Sequence, residues 1–161
     1  MADRNELTFK SYLKTISIIH ITFTGGLLFF SAIVYFQFTD WHFTVPLNDV
    51  FFSITPILAT AIIFLGNFLF KKKINSILGK KSLRQRLTVY QSAILLKYAF
   101  TEGAAFICMM IALYSGNLFY LGLALIVILY FISLKPTKNK IEQQLHLTGE
   151  LKDQLNRENL K

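Results

Sequence analysis

The sequence predicts an all-α polytopic membrane protein: four transmembrane helices in an antiparallel bundle, followed by a cytoplasmic amphipathic C-terminal helix. Three observations carry this reading. Four stretches are apolar over the roughly 17–25 residues that a helix needs to cross a bilayer core. Two of them hold no charged residue at all, whereas a soluble domain needs amphipathic helices with a charged outer face. The basic residues gather in alternate connections between the stretches.

The first stretch covers about 13–38. It is longer than a signal-peptide h-region and no A-x-A-like site follows it, so it is expected to stay as a span. The second covers about 50–70 and carries Pro56, which removes a backbone donor. The third covers about 87–114, and the fourth about 118–134. The turn Ser115-Gly116-Asn117 between them is short enough to force an antiparallel hairpin. Residues 1–136 therefore read as the transmembrane domain and 137–161 as a tail. In the tail, Ile141, Leu145, Leu147, Leu151 and Leu155 share one side of a helix expected over 138–160. The opposite side is mixed in charge, which suits docking onto protein, or onto the loop 71–86, better than a lipid surface.

Charge sets the expected orientation. The loop 71–86 holds Lys71, Lys72, Lys73, Lys80, Lys81, Arg84 and Arg86 and no acid, while the loop 39–49 holds only Asp40 and Asp49. By the positive-inside rule both termini lie in the cytoplasm, as in an inner-membrane protein. The seven basic residues of the loop are placed to touch anionic lipid head groups. Tyr35, Trp41, Phe43, Tyr114, Phe119 and Tyr120 are expected at the opposite interface, where aromatic rings prefer the head-group level. Topology alone explains the net charge of +8, without a nucleic-acid partner.

Composition removes other classes. The chain of 161 residues is 53% hydrophobic and carries 16 Phe, against the low hydrophobicity of disordered segments. Its single cysteine, Cys108, excludes an internal disulfide, a CxxC centre and a multi-cysteine zinc site. Gly79-Lys80-Lys81-Ser82 is not a phosphate loop, because position 74 is Ile where that motif needs Gly. No HExxH, GxSxG or paired-carboxylate constellation is present, so no catalytic residues, metal ligands or cofactor are assigned and enzymatic action is the least supported reading.

Ionisable residues inside spans are costly and are the default functional candidates. Glu102 lies about 22 Å into the third stretch at 1.5 Å per residue. Gln91, Leu95, Tyr98, Ala105 and Met109 share its face, and Gly103, Ala104 and Ala105 beside it permit close helix approach. Lys97 lies about 140° around the helix from Glu102, so it either reaches toward the basic interface or pairs with a Glu102 of another helix or subunit. His20 falls on a stripe with Ser17, Thr24 and Ser31, and Asn67 on one with Ser53, Pro56 and Thr60. Both stripes are expected to face the bundle interior. A sharper reading makes Glu102, Tyr98, Gln91, Asn67 and His20 a proton or cation path. His42 and His146 do not match His20 in depth, which argues against haem. The segment AFTEGAAF, Ala99 to Phe106, resembles in its chemistry the carboxylate-bearing helix of rotary ATPase ring subunits. The family's glycine repeat and simple hairpin are lacking, so the likeness implies no shared fold.

Three functions are compatible with these residues. The chain is a subunit of a membrane assembly, with other proteins or with itself. Alternatively, it couples proton or cation movement at Glu102. The third possibility is a membrane enzyme acting on lipid or quinone.

Overall fold

A computed structural model describes residues 9–37, 40–47, 49–76, 82–145 and 147. They form five helices: α1 (Phe9–Phe36), α2 (Val50–Asn75), α3 (Leu83–Ser115), α4 (Leu118–Ser133) and α5 (Lys138–Gln144). No β-strand forms among the described residues; His42 and Asn117 make one isolated bridge. Three helices, α1, α2 and α3, are long and apolar enough to cross a membrane, and α4 joins them if it is counted with α5, which bends away by 82°. With 16 residues, α4 measures about 24 Å, short of the ~30 Å hydrocarbon core. Lys135-Pro136-Thr137 then breaks the helix, since Pro136 cannot continue it.

Helix α3 is the hub. It packs most extensively on α2, then on α4, and least on α1, which also touches α4. The bundle is therefore not a ring of four equal partners. Direction follows from paired contacts. His20 meets Tyr98 and Phe30 meets Phe106, so α1 and α3 run parallel. Phe51 meets Tyr114 while Phe70 meets Tyr90, so α2 runs against α3.

Small residues decide which face of α2 meets α3. A Cβ on Gly66 would stand 2.7 Å from the Cβ of Phe100, closer than atoms tolerate, and Ala59 is buried on the same face. The buried residues of α2 are Thr55, Ala59, Gly66, Phe70 and Ile74. This corrects the expected interior stripe: Ser53 and Thr60 are exposed, and Pro56 and Asn67 only half-buried. Backbone approach wins because dispersion contact over a long seam outweighs hydrogen bonding by a few small side chains. In α1 the expected stripe fares better, with His20 and Ser31 buried and Ser17 and Thr24 half-buried.

At the loop end, the segment after α1 is clamped to the α3–α4 turn. The backbone of His42 exchanges hydrogen bonds with Gly116 and Leu118. Gly116 takes φ 63°, ending α3 in the left-handed conformation that glycine adopts without strain. Asn117 caps α4 by accepting from Phe119 N–H and donates to Thr44. Asp49 caps α2 through Phe51 N–H and accepts from the Tyr120 hydroxyl at 2.7 Å. Tyr120, in the first turn of α4, is fully buried against protein, with its hydroxyl on the Asp49 carboxylate. Trp41 and Tyr35 do stack, at 6.2 Å, with Trp41 Nε1 donating to the Tyr35 carbonyl.

The tail helix is shorter than expected. It ends at Gln144, where Leu145 forms its C-cap, and 148–161, with Leu151 and Leu155, lie outside the described residues. Ile141, Leu145 and Leu147 are buried, although Leu145 and Leu147 lie past the end of the helix whose face they were expected to share. They seat the segment on the start of α3, where Tyr90 donates to Gln144 at 2.8 Å and Arg86 to the Leu145 carbonyl at 3.3 Å.

Candidate functional site at the basic end

The end of α4 is followed directly by Lys135, Lys138 and Lys140. Its last carbonyls lack the partner that a continuing helix would give them; Leu134 N–H reaches the Phe131 carbonyl at 2.9 Å and Lys135 N–H the Ile132 carbonyl at 3.2 Å. Three side chains add to these. His20 Nε2 donates to the Phe131 carbonyl at 3.0 Å. The Tyr98 hydroxyl donates to the Leu134 carbonyl at 3.3 Å. Lys140 Nζ donates to the Ser133 and Lys135 carbonyls at 2.8 and 3.2 Å, placing a cation at the negative pole of the helix. Because a carbonyl only accepts, the His20 proton sits on Nε2, leaving Nδ1 as acceptor in the neutral ring. The His20, Tyr98 and Phe131 rings pack mutually at 5.1–5.2 Å. His20 and Tyr98, expected to line a path, thus both hold the end of a helix. Phe131, Leu134 and Lys140 escape the sequence reading, because nothing local shows which remote carbonyls their partners reach.

Lys97 lies level with this site. Its Nζ stands 5.3 Å from the centre of the Phe70 ring, within cation–π range. Phe70 precedes Lys71, so Lys97 sits where the helices turn polar. No carboxylate lies within ion-pair distance of it among the described residues.

Glu102 is five residues further along α3, about 7.5 Å at 1.5 Å per residue. It occupies the stripe of α3 that faces α1, midway between Tyr98, which meets His20, and Phe106, which meets Phe30. Glu102 is half-buried, and among the described residues no hydrogen bond or ion pair reaches its carboxyl. Midway along the matching stretch of α1 stand Gly25 and Gly26, both exposed. A Cβ on either of them, or on Gly103, would meet nothing within 4 Å.

The remaining candidates divide. Gln91 is half-buried on the Glu102 side of α3. Asn67 is not with this group: it donates to the Tyr130 hydroxyl at 3.1 Å, joining α2 to α4. Lys71, Lys72, Lys73 and Arg84 are exposed, and Arg86 is half-buried against the tail. Lys80 and Lys81 lie outside the described residues. No three His, Cys, Asp or Glu side chains among the described residues could hold a metal ion. No family model matches the chain, and neither curated proteins nor solved structures provide a match.

Proposed function

We propose that this chain is a small integral membrane protein that serves as a subunit of a membrane assembly or homo-oligomer, its basic end in the cytoplasm. The carrying observation is Glu102. An ionisable side chain at this depth costs several kcal/mol to bury, yet no donor within the described fold reaches it. Its surroundings are open at Gly25, Gly26 and Gly103, which lets a second helix approach and offer a donor. The test is the mass and composition of the protein purified gently from its native membrane. A discrete complex is expected for the wild type and for Glu102→Gln, which keeps the hydrogen-bonding shape. Dissociation is expected for Glu102→Leu. A monomeric wild type, or an assembly indifferent to Glu102→Leu, would overturn the reading.

Proton or cation movement at Glu102 is the second reading. The observation favouring it is that Glu102 and Tyr98 lie one turn apart on the seam that also holds His20. Ion flux in vesicles that is lost in Glu102→Gln while assembly persists would select it.

A further inference from the structure

A cavity of about 110 Å³ opens beside Lys97, between α2, α3, α4 and α5. Its polar lining comes from Lys97, Lys140, Tyr90, Tyr98 and Gln144, and Phe70 forms one wall. Drug-sized ligands take roughly 300–1,000 Å³, so this space suits a single small polar group.

Its charge is one-sided. Lys97 and Lys140 both line it. Lys138 pairs with Glu142 at 3.7 Å, and neither residue lines the cavity. Lys97 spends its ammonium on a ring face alone. Lys140 uses two protons on carbonyls and has a third to give. Among the described residues that line the cavity there is no carboxylate, and ammonium groups gathered at one place repel one another. An anion with several acceptor oxygens would reverse that sign.

We propose that this cavity binds a phosphate group, held between Lys97 and Lys140 and carried either by an anionic lipid head group or by a soluble phosphate compound. Charge-assisted hydrogen bonds to phosphate are the strong kind, and the cavity lies where head groups meet helix ends. It is separate from the Glu102 contact and stands whether or not the chain assembles.

The experiment measures thermal unfolding of the full-length protein in zwitterionic detergent. Phosphatidylglycerol, phosphatidylcholine or inorganic phosphate is titrated in. Phosphatidylglycerol is expected to raise Tm in the wild type and phosphatidylcholine is not. Lys97→Gln breaks no hydrogen bond of the fold, and it is expected to weaken the half-saturating concentration by about tenfold or more, as for loss of a hydrogen bond to a charged group. Lys140→Gln should act in the same direction and serves if Lys97→Gln does not fold. Lys72→Gln, exposed at the same end and outside the cavity, should keep the wild-type response. Inorganic phosphate that stabilises alone and displaces the lipid would assign the site to a soluble phosphate; failure to do so would assign it to the lipid head group. Equal stabilisation by phosphatidylcholine, or a wild-type response in both cavity variants, would overturn the proposal.

Discussion

At the loop end, helix termini are capped by residues at the termini themselves: Asn117 accepts from Phe119, two positions on, and Asp49 accepts from Phe51. Only their remaining atoms reach across the fold, to Thr44 and Tyr120. At the basic end local caps also form, at Ser82 for α3 and at Thr137 for α5, but the carbonyls closing α4 are met in addition by His20, 111 positions away, and by Tyr98, 36 away. The end of α4 is thus held by docking of separate helices as well as by local capping. Local caps can form as soon as a helix does. Remote caps exist only once α1, α3 and α4 have packed.

The comparison is tested most severely at His20. His20→Ala removes both the donor and the ring stacked on Phe131, and should cost about 3 kcal/mol, combining a core cavity with one lost hydrogen bond. His20→Phe restores the ring and should recover about half of that loss. Equal losses in the two variants, by thermal unfolding in detergent, would assign the whole effect to the hydrogen bond.

Asn117→Ala should cost about 2 kcal/mol, the upper range for an N-cap, because Asn117 is buried and also clamps Thr44. Asn117→Asp keeps the acceptor for Phe119 and loses the donor, so about half the stability should return. If both variants unfold alike, the clamp outweighs the cap and the loop end is as dependent on remote contacts as the basic end.

Smaller effects follow. Tyr120→Phe should lower stability by about 1 kcal/mol through loss of one hydrogen bond to a carboxylate. Thr55→Val should raise it by about 1 kcal/mol, because the Thr55 hydroxyl is buried without a partner. No gain would show that the hydroxyl meets water. Lys140→Gln, exposed and acting on the α4 dipole, should cost about 0.5 kcal/mol without ligand, and less as salt rises.

Much of this architecture is legible in the chain. Length and apolar content locate the helices within a few residues, and Ser115-Gly116-Asn117 announces the hairpin with residue types that end and begin helices. The apolar residue types of Ile141, Leu145 and Leu147 signal their burial, but the helical spacing does not, since the helix stops at Gln144. Less legible is which face of α2 turns inward. Polar periodicity points to Ser53, Pro56, Thr60 and Asn67, whereas Gly66 and Ala59 win through close approach to Phe100. Glu102 and Lys97 are visible at once as ionisable residues in apolar segments, but their depth is not. It depends on where α4 ends beside them.

The sequence by itself determined the all-helical character, the number and order of apolar stretches and the segregation of charge, because these rest on short-range periodicity and on the cost of placing charges in hydrocarbon. Tertiary structure decided the central position of α3, the use of His20 and Tyr98 to close α4, the separation of Asn67 from them, and the cationic cavity at Lys97. Each of these depends on groups far apart in the chain whose distance is set only by packing, and no local pattern encodes that distance.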